Sequence, residues 1–170
     1  MSPKIDLNKI FEIASSSDKS DEGKILALLE QCSKQTCVEF AYKICLDVKH
    51  LMEDERSLVA VEALKQYLDT GKPISREIID SAFSASSHAS SSASSYAASS
   101  CAAYAITRAV FTAVSAAAFA AYAFSSYAYA SYTTRLEKDK QYLQLLIELI
   151  ASSCSCEENR FLHEIILCTS

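Results

Sequence analysis

Between Ser81 and Thr134 the chain contains no Leu, Gly or Pro and a single charged residue, Arg108. Nearly everything else there is Ala or Ser, punctuated by aromatics: Phe83, Tyr96, Tyr104, Phe111, Phe119, Tyr122, Phe124, Tyr127, Tyr129 and Tyr132. Ala is the best helix former and no breaker interrupts the run, so the stretch reads as helix rather than linker. Small residues recur every four positions, from Ala85 through Ala97, Cys101 and Ala105 to Ala121 and Ser125. Four residues advance a helix by about 400°, so this row keeps one face for only a few turns. One straight helix of this length would reach ~80 Å, too long for a globule of this size. The run is therefore expected to be two helices, with the break between Ser94 and Ala102, where serines compete for backbone hydrogen bonds. Small facing surfaces would bring the two backbones close, with the aromatics filling the flanks.

A membrane hairpin is the competing reading, because Ala109 to Thr134 is uncharged and small-xxx-small spacing is how membrane helices meet. Composition argues against it. Membrane spans draw on Leu, Ile, Val and Phe, whereas this stretch offers mainly Ala, Ser, Thr and Tyr.

On either side the chain is ordinary amphipathic helix. Residues 4–13 carry Ile5, Leu7, Ile10, Phe11 and Ile13 after a Ser-Pro start. Asp21 is a candidate cap for a second helix reaching Cys32. Cys37, Phe40, Ala41, Ile44, Val48, Leu51 and Met52 recur at three-and-four spacing and define a third. A fourth runs from Asp54 to Thr70, ended by Gly71 and Pro73, and Ser75 is placed to cap the next, with Glu77 in its first turn. After Thr134 a helix carries Leu136, Leu143, Leu146, Ile147 and Ile150 on one face, and a last one starts near Glu157. No segment alternates with a period of two. The expectation is an all-α, single-domain multi-helix bundle of about eight helices around a central Ala/Ser-rich pair. Residues 1–75 would supply N-terminal amphipathic helices, 76–134 the central helices and 135–170 the C-terminal ones.

Charge lies almost wholly outside the central run: all 21 acidic residues and 15 of the 16 basic ones flank it, and the whole chain carries −5. No Lys/Arg cluster appears, which argues against direct nucleic-acid binding. An acidic surface suits a basic protein partner such as a toxin, a nuclease or a defence enzyme. Acidic residues expected on outer helices, Asp47, Glu53, Asp54 and Glu55, are the candidate contacts. The start of the chain has no apolar signal core, and seven cysteines at irregular spacings read as buried free thiols, so a reducing cytoplasm is the expected home.

Little in the chain points to catalysis. His50 and Glu53 stand three apart with Asp47 nearby, but a carboxylate metal site in a bundle needs ligands from several helices, and no second group is present. Cys154-x-Cys156 lacks zinc-knuckle spacing. His88 and Arg108 are the candidate buried polar or ligand-contacting residues of the central run, with Arg108 expected to pair with a carboxylate from a flanking helix. No glycine-rich phosphate loop exists, the only glycines being Gly23 and Gly71. The chain is expected not to be an enzyme and to need no metal or cofactor.

The order of features from Ala41 to Leu149 resembles a family of small bacterial immunity proteins encoded beside polymorphic-toxin genes. The shared features are an acidic helix end before a short linker (Asp47 to Asp54), a helix ending in Gly (Ala63 to Gly71) and an Arg-Glu start (Arg76-Glu77) into long Ala-rich helices. A Tyr-Ala ending follows (Tyr127-Ala128), and then a helix with Glu137 and Gln141. The family's Ala-rich helices are studded with His, whereas here only His88 stands in them, and the aromatic beside the Gln is displaced to Tyr142. The resemblance implies a cognate-toxin inhibitor that acts by binding; a phage-borne inhibitor of a host defence enzyme would have the same physics. A structural or membrane-associated hairpin, or a homo-oligomer seamed by the Tyr-rich stretch 122–132, is the alternative.

Overall fold

The computed structural model describes residues 6–88, 93–110, 118, 120–124, 128–129 and 132–153, with the side chains of 108–110 and 132 excepted. Among these residues the protein is all-α, with no strand. Helix α1 is Leu7–Ser15, started by the Asp6 carboxylate, which accepts from the backbone N–H of Asn8 and Lys9. Helix α2 is Asp21–Leu29. Its cap is Ser20, not Asp21: the Ser20 hydroxyl takes the Gly23 N–H at 3.2 Å, and Asp21 sits in the first turn, where a negative charge favours the helix dipole.

Helix α3, Lys34–Val48, starts at Ser33, whose hydroxyl accepts the Thr36 N–H. A single 3₁₀ turn, Lys49–Leu51, follows. The third helix thus stops short of Leu51 and Met52, and His50 and Glu53 do not share a helical face with Asp47. Helix α4 is Glu55–Thr70, capped by Asp54. Gly71 closes it at φ 70°, a left-handed conformation that costs glycine nothing, and its N–H returns to the Tyr67 carbonyl at 2.8 Å.

Helix α5, Arg76–His88, begins where Ser75 accepts the Ile78 N–H, and α6 is Ala93–Val110. The Ala/Ser run therefore does hold a central helical pair, but α6 passes unbroken through Ser94 to Ala102, where a break was expected. The reason lies in packing. Ser95, Ser99 and Ser100 are at most 1% exposed and point into neighbouring helices, so tertiary contact outweighs the local preference of serine for turns. Residues 120–124 are also helical, and α7 is Tyr132–Ser152. The helix expected from Glu157 and three of the cysteines, Cys154, Cys156 and Cys168, lie outside the described residues.

Helix α6 is the hub, lying against α3, α4 and α5, while α3 also meets α7, which packs on α2. Ala97, Ala98, Cys101, Ala102, Ala103, Ala105 and Ile106 are all buried, so α6 is enclosed on nearly every side. A helix with Leu at those positions would hold its neighbours further away; Ala and Ser let three helices approach it together. Ser86 and Ser100 share a hydroxyl hydrogen bond at 2.7 Å across the α5–α6 contact. Larger side chains fill the rest of the core, with Phe40, Ile44 and Leu64 on α3 and α4, Ile25, Leu28 and Leu29 on α2, and Leu146, Ile147 and Ile150 on α7. Along the outer edge of α5 and α6, Phe83 meets Tyr104 edge-on at 5.7 Å, and Tyr104 stacks on Phe124 at 5.1 Å. No described helix is long and apolar enough to cross a membrane.

Candidate functional site

Asp47 closes the last turn of α3, and its carboxylate is the meeting point of three donors from distant parts of the chain. The Tyr129 hydroxyl donates to Oδ2 at 2.5 Å and the Tyr142 hydroxyl to the same oxygen at 2.7 Å. Lys138 Nζ bridges both oxygens at 2.9 and 3.0 Å and lies 5.0 Å from the centre of the Tyr129 ring. Lys138 and Tyr142 are one turn apart on α7, so a single helix face brings both to Asp47. One turn from Tyr142, Asp139 takes the Tyr122 hydroxyl at 2.7 Å, and the Tyr122 and Tyr142 rings meet edge-on at 6.0 Å.

Burial alone would raise the Asp47 pKa, but the two tyrosine hydroxyls and Lys138 outweigh it and hold the carboxyl below its usual range. Conversely, burial and the adjacent carboxylate push the Tyr129 phenol up, so it keeps its proton and stays a donor. A carboxylate held ionised and saturated with donors is a poor base and a poor metal ligand. Its work is to tie α3 to α7 and to the chain around residue 129. Asp47 was a candidate partner contact; the structure turns its carboxylate inward. The spacing of Lys138 and Tyr142 on one helix face was the only signal for this network, and nothing local linked it to Asp47 or Tyr129.

The described tyrosines of the 122–132 stretch also face inward. Tyr122 is 2% exposed, and Tyr129 is half-buried on Asp47. Tyr127 and the side chain of Tyr132 lie outside the described residues.

Asp54 is likewise engaged within the chain. It caps α4 through the Arg56 N–H at 2.9 Å and grips the Arg56 guanidinium, with Nη2 to Oδ2 at 2.6 Å and Nε to Oδ1 at 3.0 Å. This fork with Arg56 holds the Asp54 carboxyl below its usual range. Arg56 reaches on to the Ser84 hydroxyl of α5 at 3.0 Å, so the pair also pins α4 to α5.

Glu53 and Glu55 are exposed. Glu55 lines a cleft of about 370 Å³ between α4 and α5, together with Arg56, Val59, Glu77, Ile78 and Ser81. Val59 is 47% exposed and, with Ile78, makes an apolar wall open to solvent. Arg56, which lines the cleft, is already paired with Asp54, and Arg76, next to Glu77 in the chain, lies 3.7 Å from Asp80. Glu55 and Glu77 make no hydrogen bond or ion pair among the described residues. Among the described residues, the cleft therefore presents two uncompensated carboxylates beside an apolar surface.

The remaining sequence candidates fall elsewhere. His88 is exposed at the end of α5, where its ring Nδ1 donates to the Ser84 carbonyl at 2.6 Å; it is not a buried polar residue. The Arg108 backbone is in α6, but its side chain lies outside the described residues. His50 bonds the Asp47 backbone carbonyl at 3.0 Å, and among the described residues no group of three His, Cys, Asp or Glu is placed to hold a metal. Comparison with protein-family models, with curated proteins and with solved structures finds no match to this chain.

Proposed function

We propose that this protein acts by binding a protein partner and inhibiting it, the partner presenting a basic segment to the α4–α5 cleft. The observation that supports this reading is the pair of unpartnered carboxylates, Glu55 and Glu77, flanking the exposed apolar wall of Val59 and Ile78. A Lys or Arg beside an apolar residue complements that arrangement, and opposite charge would speed encounter in a salt-dependent way. A toxin, a nuclease or a nucleic-acid-handling defence enzyme has the required chemistry, in keeping with the resemblance to immunity proteins. Asp47 and Asp54 serve this role indirectly, by fixing the end of α3 and the start of α4, which carries the exposed Glu55. The inward-turned Tyr122 and Tyr129 favour binding over a lipid-facing hairpin.

The test is parallel affinity capture from the native host with the tagged protein and with the double variant Glu55→Lys/Glu77→Lys. A basic protein retained by the wild type, inhibited by it, and associating at least about tenfold more slowly with the variant supports the reading. Equal retention and an unchanged salt dependence would remove the cleft from the interface. Recovery of nothing but the protein itself or membrane components overturns the inhibitor reading.

A further inference from the structure

Cys45 and Cys101 meet where α3 lies against α6. Their sulfurs are 3.2 Å apart, both residues are fully buried, and the chain between them spans 56 positions. A disulfide needs ~2.05 Å, so joining them takes about one ångström of relative movement. We propose that this pair is an oxidative modification site, closed by hydrogen peroxide to an intramolecular disulfide that ties α3 to α6.

Peroxide suits a pair sealed in a core because it is small and uncharged, whereas a bulky disulfide reagent has no path to either sulfur. The Cys45 sulfur attacks one peroxide oxygen, the O–O bond breaks, and the hydroxide that leaves takes up the proton released by the thiol. The resulting sulfenic acid is in contact with Cys101. The Cys101 sulfur attacks it, the S–S bond forms, the S–O bond breaks, and water departs with the Cys101 proton. Two thiols are oxidised, and one peroxide is reduced to two waters. The hydrogen bond with Cys45 and burial push the Cys101 thiol well up, which suits it to keep its proton until this second step. With the resolving thiol already in place, the sulfenic acid is intercepted before further oxidation.

Cys32 and Cys37 are the competing thiols among the described residues. Cys32 is half-buried, and its hydrogen bond lowers the Cys37 pKa. The experiment therefore uses a variant with Cys32, Cys37, Cys154, Cys156 and Cys168 replaced by Ser, and the wild type beside it. Each is exposed to peroxide while folded, then denatured, alkylated and mapped by mass spectrometry.

The two-thiol variant is expected to become lighter by two hydrogens, to resist alkylation at both positions, to form no intermolecular disulfide and to recover fully on reduction. Its melting temperature should rise by about 5–15 °C on oxidation. Cys101→Ala in the same background should instead gain oxygen, with no rise in melting temperature. In the wild type, a peptide linking Cys45 to Cys101 is expected; this arm decides the matter if the variant does not fold. Alkylation of both thiols after prolonged exposure, intermolecular dimers, or wild-type oxidation confined to Cys32 and Cys37 would overturn the proposal.

Discussion

Asp47→Ala should be the most destabilising single change outside the apolar core. It removes the shared acceptor of three donors at once. Tyr142 is only 4% exposed, so its hydroxyl loses a charged acceptor without gaining water, which costs about 1–3 kcal/mol. Tyr129 is half-buried and regains solvent, which limits its loss to roughly 0.5–1 kcal/mol. The Lys138 pair keeps some exposure, 20% and 33% for its two side chains, and after screening contributes about 0–1 kcal/mol. The total is about 1.5–5 kcal/mol, a fall in melting temperature of roughly 3–20 °C for a chain of this size. Asp47→Asn keeps one acceptor oxygen and should lose about half as much.

Acidification supplies an independent check. The Asp47 pKa is depressed in the folded state, so its contribution is present above the unfolded value of about 3.9 and disappears as pH falls through the lower folded value. Wild type and Asp47→Asn should therefore converge in stability below about pH 4 and stay apart at neutral pH. Urea melts of Asp47→Ala, Tyr142→Phe and the double variant should show a coupling of about 1–2 kcal/mol. A melting temperature for Asp47→Ala within a degree or two of wild type, or strictly additive effects with Tyr142→Phe, would refute the argument that this carboxylate ties α3 to α7.

Three further substitutions probe the helical hub and its edges. Ala102→Leu forces new carbons into the fully buried surface of α6 and should cost about 3 kcal/mol, near the upper end for overpacking, in a thermal or urea melt. Ser99→Ala should stabilise by about 1 kcal/mol in the same assay, because the Ser99 hydroxyl is buried with no hydrogen-bond partner among the described residues. Gly71→Ala should cost about 1 kcal/mol with no steric component, since an added Cβ meets nothing within 4 Å and only the left-handed backbone resists it; Gly71→Asn should cost less.

Local chemistry was enough to set most helix boundaries, because caps and stops act over four or five residues. Gly71 and Ser75 do in the structure what their residue types predict. The absence of any period-two pattern and the helix propensity of Ala likewise committed the chain to an all-α fold before any contact was considered. What the sequence left open depends on partners distant in the chain. The serines of α6 look locally like a helix break, yet α3, α4 and α5 bury that face and keep the helix continuous. Asp47 looks like a surface acid, yet Tyr129, Lys138 and Tyr142 gather around it from more than eighty positions away. Glu55 and Glu77 come from different helices, and only the packing of α4 against α5 brings them to one cleft. Backbone propensity is a property of a residue and its immediate neighbours, and could be read along the chain. Whether a charge is free or spent is a property of the space around it, and only the packed helices decided that.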